Sequence, residues 1–200
     1  HLNTGLIRSI IPDRATLIIA FSGGADSSAL LAGLSVLSEK KCFKLIACHV
    51  NHQIRLDSSE ADQLAAKTIA DSLGVEFLAT SVNVPKVSKE QKISIETAGR
   101  NLRYEILSQL SEKYDAYGVV TGHTKDDQAE TILLHAGRGT GLKGLVGMKY
   151  RSTLRFPKSD TNLTILRPLL GISRSTIINY CKQRNIQPVI DTSNTDRQYT

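Results

Sequence analysis

The chain has no tryptophan, and aromatic residues make up only 5% of its 200 positions. A stacked aromatic platform for single-stranded nucleic acid is therefore not indicated. Cysteines are scarce as well: Cys42, Cys48 and Cys181 are the three, and none forms a Cys-x-x-Cys pair, which argues against a zinc site and against an iron–sulfur cluster. So sparse and odd a count fits a reducing compartment, and a cytoplasmic location is expected. Cys48, inside an apolar run, reads as a buried core thiol. No apolar stretch approaches the roughly 20 residues that cross a bilayer, and no signal peptide is visible, so no membrane partner is expected. Charge of one sign is only modestly in excess, with 25 Lys and Arg against 19 Asp and Glu. The net +6 suits a polyanionic partner but is also common in solvated surfaces. Two hundred residues fit one large domain that can bury a core without staples.

Apolar runs alternate with helical patterns throughout. Ala15–Phe21, Lys44–Val50, Val75–Ser81, Ala116–Thr121 and Leu163–Leu166 read as strands. Helices are expected after Phe21, over Ser58–Leu73, over Ser94–Tyr114 with Ile95, Ala98, Leu102, Ile106 and Leu110 on one face, over Lys125–Ala136, and over Ser173–Arg184. The polar, proline-containing Val82–Lys92 segment reads as a loop, Gly137–Gly147 is too glycine-rich for regular structure, and Asp191–Thr200 reads as a polar tail. This order predicts an α/β fold: a mostly parallel five-stranded sheet with helices on both faces. Ligands in such sheets collect at the carboxyl ends of the strands, which is where the residues following each strand converge.

The most informative segment is Ser22-Gly23-Gly24-Ala25-Asp26-Ser27, between the first strand and a helix. A turn there leaves backbone N–H groups unpaired at a helix N-terminus, where the macrodipole favours an anion. Glycine lets a phosphate oxygen approach the main chain, Ser22 and Ser27 add hydroxyl donors, and Asp26 offers a hard oxygen ligand for Mg²⁺. The string lacks the Gly-Lys-Ser/Thr of a Walker A loop and the spread glycines of a dinucleotide fingerprint. It resembles the phosphate loop of the PP-loop ATP pyrophosphatases, and ATP is the expected ligand.

The second segment is Gly122–Met148. Asp127 and Glu130, three apart, point the same way on a helix, with Ala129, Ile132, Leu133 and Ala136 expected on the opposing side. Acids in a first turn also simply complement the helix dipole. His123-x-x-Asp126-Asp127-Gln128-x-Glu130-Thr131 followed by Arg138-Gly139-x-Gly141-Leu142-x-Gly144-Leu145 is similar to the signature of the tRNA(Ile)-lysidine synthetases. His49-Val50-Asn51-His52 with Arg55, Arg100-x-x-Arg103-Tyr104, Arg167-Pro168-Leu169-Leu170 and Asp191-x-Ser193-Asn194 resemble that family too, so the likeness runs from about Leu17 to Asp196.

That resemblance implies an ATP-dependent ligase acting on an isoleucine tRNA with a cytidine at the wobble position and on free L-lysine. ATP adenylates the C2 carbonyl oxygen of the cytidine and releases pyrophosphate; the lysine ε-amine then attacks C2, displaces AMP and leaves lysidine. It assigns Asp127 and Glu130 to lysine binding and activation, since the incoming ammonium has to lose a proton. Arg103 and Arg100 fall to the phosphates, because a guanidinium holds phosphate oxygens in a fixed fork; on residues alone they read equally as side chains that flank an apolar stripe and snorkel to solvent. His52 and His123 either touch the nucleotide or are satisfied structural histidines, and His135 reads as a dipole partner at a helix end. Gly137–Gly147 reads as a tRNA-facing loop, with Arg138 and Lys143 reaching phosphates, or as an ordinary connection. The whole chain is expected to be one catalytic domain, truncated before the Arg-Asn-x-x-Arg element and the C-terminal tRNA-binding domains of larger members, so that it binds ATP and Mg²⁺ but modifies tRNA weakly or not at all. A tRNA thiolase, an amide synthetase on the same loop and a non-catalytic nucleotide sensor are the rival expectations; oligomeric state is not legible.

Overall fold

The computed structural model describes residues 4–54, 56–139, 146–155 and 162–189. Helix α1 (Thr4–Ile10) precedes the first strand, β1 (Thr16–Ala20), which feeds α2 (Ala25–Lys41). Then come β2 (Lys44–Asn51), α3 (Leu56–Ser72), β3 (Glu76–Ser81), α4 (Val84–Gln91) and α5 (Ile95–Lys113). The second half runs β4 (Gly118–Val120), α6 (Lys125–Gly137), β5 (Arg151–Arg155), β6 (Asn162–Leu166) and α7 (Arg174–Gln183). The strands form one sheet in the order β3-β2-β1-β4-β6-β5. All pairings are parallel except β5 with β6.

Strand alternation sorts the core into two layers. Leu17 and Ile19 of β1, with Leu45 and Ala47 of β2, face a layer built from Ile7, α2, Ala66 and Ala70 of α3, and Ile177 of α7. Ile18, Ile46, Cys48, Val119 and Ile165 face the other way, onto Tyr104 and Leu107 of α5. The near-continuous apolar runs of β1 and β2 follow from burial on both faces, the normal condition of a parallel sheet. β1 is the switch point: the chain moves from it to β2 and β3 on one side, then to β4 and β6 on the other.

Three expectations are corrected. The sheet has six strands, not five, because β5 (Arg-Ser-Thr-Leu-Arg) is a polar edge strand that lies alternately exposed and offers no apolar run to detect. The Val82–Lys92 segment is a helix over most of its length. Asn83 caps it by accepting from the Lys86 N–H, and Pro85 sits in the first turn, where its missing N–H costs nothing. In α5 the buried face is Ala98, Gly99, Tyr104, Leu107 and Ser108, while Ile95 is exposed; Tyr104 rather than Ile95 anchors the stripe because its ring enters the second core layer.

Candidate active site at the carboxyl edge of the sheet

The phosphate-loop segment leaves β1 at the edge where ligands collect in open α/β sheets. Gly23 has φ +82° and lies so close to Ala66 and Val189 that a Cβ would meet Val189 Cγ2 at 2.9 Å and Ala66 Cβ at 3.1 Å. Gly24 is the N-cap of α2 with no side-chain cap, so the N–H groups of Ala25, Asp26 and Ser27 have no intrahelical acceptor and point outward. The serines hold the loop rather than cap it. Ser28 Oγ donates to the Gly23 carbonyl at 3.0 Å and Ser27 Oγ to the Gly24 carbonyl at 3.1 Å. Ser22 Oγ accepts from the Gly24 N–H at 3.3 Å and lies 3.1 Å from Ser27 Oγ. From outside, the Val189 N–H donates to the Gly23 carbonyl at 2.9 Å.

The segment after β4 packs directly onto this loop. A Cβ on Gly122 would stand 3.2 Å from the Asp26 carbonyl carbon and 3.2 Å from the Ser27 nitrogen. Two residues on, Thr124 caps α6 in a capping box: it accepts from the Asp127 N–H at 3.3 Å, and Asp127 Oδ2 accepts from the Thr124 N–H at 2.7 Å and hydroxyl at 2.9 Å. Asp127 thus spends one oxygen on its helix, while Oδ1 takes no part in the cap. Asp126 Oδ2 accepts the Arg174 N–H of α7 at 2.8 Å.

Electrostatics tie these groups together. Burial pushes the Asp26 carboxyl above its ordinary value; Arg174 pulls it down, and Asp127 and Asp126 push it further up. Asp26 Oδ1 is buried with no hydrogen-bond partner, the condition of an oxygen waiting for a cation. No three His, Cys, Asp or Glu side chains among the described residues are grouped to cage a metal. The donor set fits Mg²⁺ held by one carboxylate, with phosphate oxygens and water supplying the rest.

The opposite wall is basic. Burial drives His123 down to about 4, with Arg167, Arg100 and Arg103 also acting on it and Asp127 opposing them. His52 is likewise pushed to about 4 by burial, then by Arg103 and His49. Both rings are therefore neutral at pH 7. His123 Nδ1 lies 2.7 Å from Thr121 Oγ1, and His52 lies against α5, its Nδ1 2.9 Å from where a Cβ on Gly99 would sit. Arg103 reaches solvent, yet the protein around it lowers its pKa, as expected on a concave wall. Arg100 stacks its guanidinium over the Tyr104 ring at 5.5 Å.

Electrostatic influence links the predicted residues in series from the phosphate loop: Asp26 with Asp127, Asp127 with His123, His123 with Arg100 and Arg103, and Arg103 with His52. Glu130 is exposed and lines a groove along α6 with Asp126, Ala129, Leu133, Leu134, Gly137 and Arg138. No residue of α6 is fully buried, and Leu133 is 71% exposed. The expectation of an apolar α6 face packed opposite the acids is therefore corrected: the helix docks through polar ties, leaving its leucines outside. Arg55, Gly141, Leu142, Lys143, Gly144, Leu145, Asp191, Ser193 and Asn194 lie outside the described residues.

Sequence reasoning quoted Asp126, Gln128 and Arg167 inside motifs without giving them a role, and passed over Arg174. The spacing Thr124-x-x-Asp127 carried a readable cap signal; the partners of Gln128 and Arg167 are backbone groups far along the chain, which no spacing announces.

Comparison with known proteins fixes the family. The sequence matches the PP-loop domain family over residues 4–200. The chain belongs to that family. Among curated proteins, this PP-loop chain is 36% identical over 184 residues to a tRNA(Ile)-lysidine synthase of Clostridioides difficile, covering 92% of this chain and 38% of that one. It is also 36% identical over 198 residues to a tRNA(Ile)-lysidine synthase of Clostridium acetobutylicum, covering 99% and 41%. The chain spans about two-fifths of the length of these relatives. In fold it is similar to the U34-tRNA thiolase NcsA of Methanococcus maripaludis, with a TM-score of 0.74 at 19% identity, covering 94% of this chain and 62% of that one. The NH3-dependent NAD synthetase of Campylobacter jejuni gives 0.57 at 17%, covering 92% and 70%.

Proposed function

We propose that this PP-loop domain uses ATP to join the ε-amine of lysine to C2 of the wobble cytidine of an isoleucine tRNA, in the cytoplasm. The observation that carries the reading is the packing of Gly122 on Asp26 and Ser27; on this reading the phosphate loop and the acid-bearing start of α6 open into one crevice. The first-turn N–H groups of α2, with Ser22 and Ser27, cradle the phosphates. Mg²⁺, when bound at Asp26, screens the charge that develops on the departing pyrophosphate. Arg100 and Arg103 stabilise the same charge from the α5 side. The cytidine C2 oxygen takes the adenylyl group and pyrophosphate leaves.

Lysine then enters from the α6 side. Asp127, through the oxygen its cap does not use, faces the reacting end and holds the ammonium. Glu130, three residues on and about 4.5 Å further along the helix axis, meets the amino acid nearer the mouth. One of the two carboxylates accepts the proton, and the free amine attacks C2 and expels AMP. Neutral His52 and His123 add no positive charge against the ammonium.

The rival thiolase reading asks for reactive cysteines at this edge. Burial pushes the Cys48 thiol up to about 12; Cys181, whose thiol donates to the Ala25 carbonyl of the loop at 3.6 Å, is raised by burial and by Asp26; and Cys42 lies before the amino end of β2, about 25 Å from its carboxyl end at the ~3.3 Å rise of a strand. The test is mass analysis of isoleucine tRNA incubated with ATP, labelled lysine and this sequence, both as the 200-residue chain and extended past Thr200. One added lysine on one cytidine, lost by at least about 100-fold in Asp127→Ala, is the expected result. A sulfur-bearing product, or transfer indifferent to Asp127, defeats the reading.

A further inference from the structure

We infer that Gln128 and Arg167 are positioning residues which, through the single segment Gly147–Ser152, hold the acid-bearing helix α6 and the arginine-bearing helix α5 at a fixed separation. The functional weight of this brace rests on the ligase reading above; its geometry does not. Gln128 follows Asp127 directly, and its amide takes both hydrogen-bonding groups of one distant residue. Oε1 accepts the Met148 N–H at 2.7 Å and Nε2 donates to the Met148 carbonyl at 3.0 Å. Because an N–H only donates and a carbonyl only accepts, the amide has one admissible orientation. The neighbour, Gly147, has φ +66°, and a Cβ there would stand 2.8 Å from Gln128 Nε2. Glycine is what lets the side chain lie flat on the main chain.

From Met148 the connection continues without a gap. Arg167, only 6% exposed, donates from Nη1 to the Lys149 carbonyl at 3.1 Å and to Ser152 Oγ at 2.8 Å. Its backbone N–H donates to the Tyr150 carbonyl at 2.8 Å. Tyr104 of α5 is near enough to the guanidinium to act on it electrostatically, and the Tyr104 ring carries Arg100. The path from Asp127 to Arg100 therefore runs Gln128, Met148, Lys149, Arg167, Tyr104.

Stability alone does not account for Arg167. Its Nε is buried without a partner, and among the described residues no carboxylate pairs with it. A buried cation of this kind is usually improved by an apolar replacement. What an apolar side chain cannot do is hold the Lys149 carbonyl and Ser152 of β5 together beside Tyr104 of α5. Positioning matters here because, on the ligase reading, the arginines that meet the departing pyrophosphate stand on α5 and the carboxylates that meet the amine stand on α6. Misplacement by about 1 Å costs on the order of 100-fold in rate.

The test is a double-mutant cycle in the full-length protein with Gln128→Ala and Arg167→Met, with Gln128→Glu and Arg167→Lys as milder forms should the first pair fail to fold. Lysine transfer is followed in a single turnover, ATP affinity by titration, and the Tyr104 and Arg100 side chains by their NMR resonances. Each single change is expected to slow transfer by about tenfold to 100-fold and to leave ATP affinity within about twofold, with the double variant no slower than the worse single one. Gln128→Ala is expected to shift the Tyr104 and Arg100 signals although it touches neither. Unmoved signals, or rate losses that multiply, overturn the brace. Moved signals in a protein that ligates no lysine confirm it and sink the ligase reading instead.

Discussion

Helices α2 and α6 both begin at the carboxyl edge of the sheet and both aim their first turn at the same crevice, but they are held by opposite means. In α2 every residue from Ser27 to Leu34 is buried, so the phosphate loop is carried on a helix sealed between the sheet and α7. In α6 no residue is fully buried. It is held by directional bonds: Lys125 N–H to the Ile172 carbonyl at 3.0 Å, Asp126 to the Arg174 N–H, the Thr124–Asp127 box, and the Gln128 amide on Met148. Burial is insensitive to small rotations, whereas hydrogen bonds specify orientation. The molecule thus embeds the part that has to be a rigid mould for phosphates, and orients without embedding the part that presents carboxylates to a free amino acid.

The comparison is broken most severely at Gly23. In Gly23→Ala the φ of +82° and the 2.9 Å approach to Val189 combine left-handed strain with overpacking, and a loss of about 3 kcal/mol is expected in denaturant titration, together with loss of ATP binding. An unchanged midpoint would mean that α2 is not the embedded partner it looks to be.

Acid comes next. The folded pKa values of His52 and His123, about 4, lie below the ordinary 6.5, so the unfolded chain takes up protons first as pH falls. The stability these rings contribute is whole above pH 6.5 and is lost between pH 6.5 and 4. After allowance for solvent screening the loss is about 1 kcal/mol per ring at pH 5. Melting curves across that range should flatten in His52→Asn and His123→Gln; slopes equal to the parent would place both rings in ordinary solvent.

A smaller effect has the opposite sign. Asp26→Asn removes a carboxylate whose ionised form is disfavoured by burial and by Asp127 and Asp126. It should raise the melting temperature of the ligand-free protein by roughly 2–4 °C, equivalent to about 1 kcal/mol, while abolishing Mg²⁺-dependent pyrophosphate release. A lowered melting temperature would show that the attraction of Arg174 outweighs the other terms. The smallest change is expected on α6: Leu133→Ser, at a side chain 71% exposed, should move stability by less than about 0.5 kcal/mol. A loss above 2 kcal/mol would mean that this face is covered after all.

The sequence disclosed those parts of the molecule whose physics is local. β1, β2 and β4 are short apolar runs bounded by turn residues, and the Ser-Gly-Gly-x-Asp-Ser string defines its own turn, so both were legible. Helix α4 was hidden because it is short and only its two valines are apolar, although Asn83 followed by Pro85 is a start signal that the segment did carry. β5 was hidden because an edge strand with polar residues at alternate positions has no apolar period. In the site, Asp26 was named from the loop string, whereas Asp127, Glu130 and the arginines were named from the family resemblance, because acids in a first turn and arginines on a helix carry no role by spacing alone. The groove that Glu130 lines with Asp126 could not be foreseen, since the seating of α6 is decided by the Asp126 and Gln128 ties to α7 and to residue 148. Arg167 was visible only as a motif, its purpose being defined by carbonyls fifteen to eighteen residues away.

The three thiols have a practical consequence. Cys48 and Cys181 are shut in the interior and both are held in the protonated form by burial, whereas Cys42, at the left-handed end of α2, is open. A maleimide dye at neutral pH therefore finds one reactive address on these 200 residues, on the rim of the sheet remote from the crevice. Paired with a fluorescent nucleotide, that dye becomes a molecular ruler spanning the sheet, able to time nucleotide arrival and departure without altering any residue that handles it.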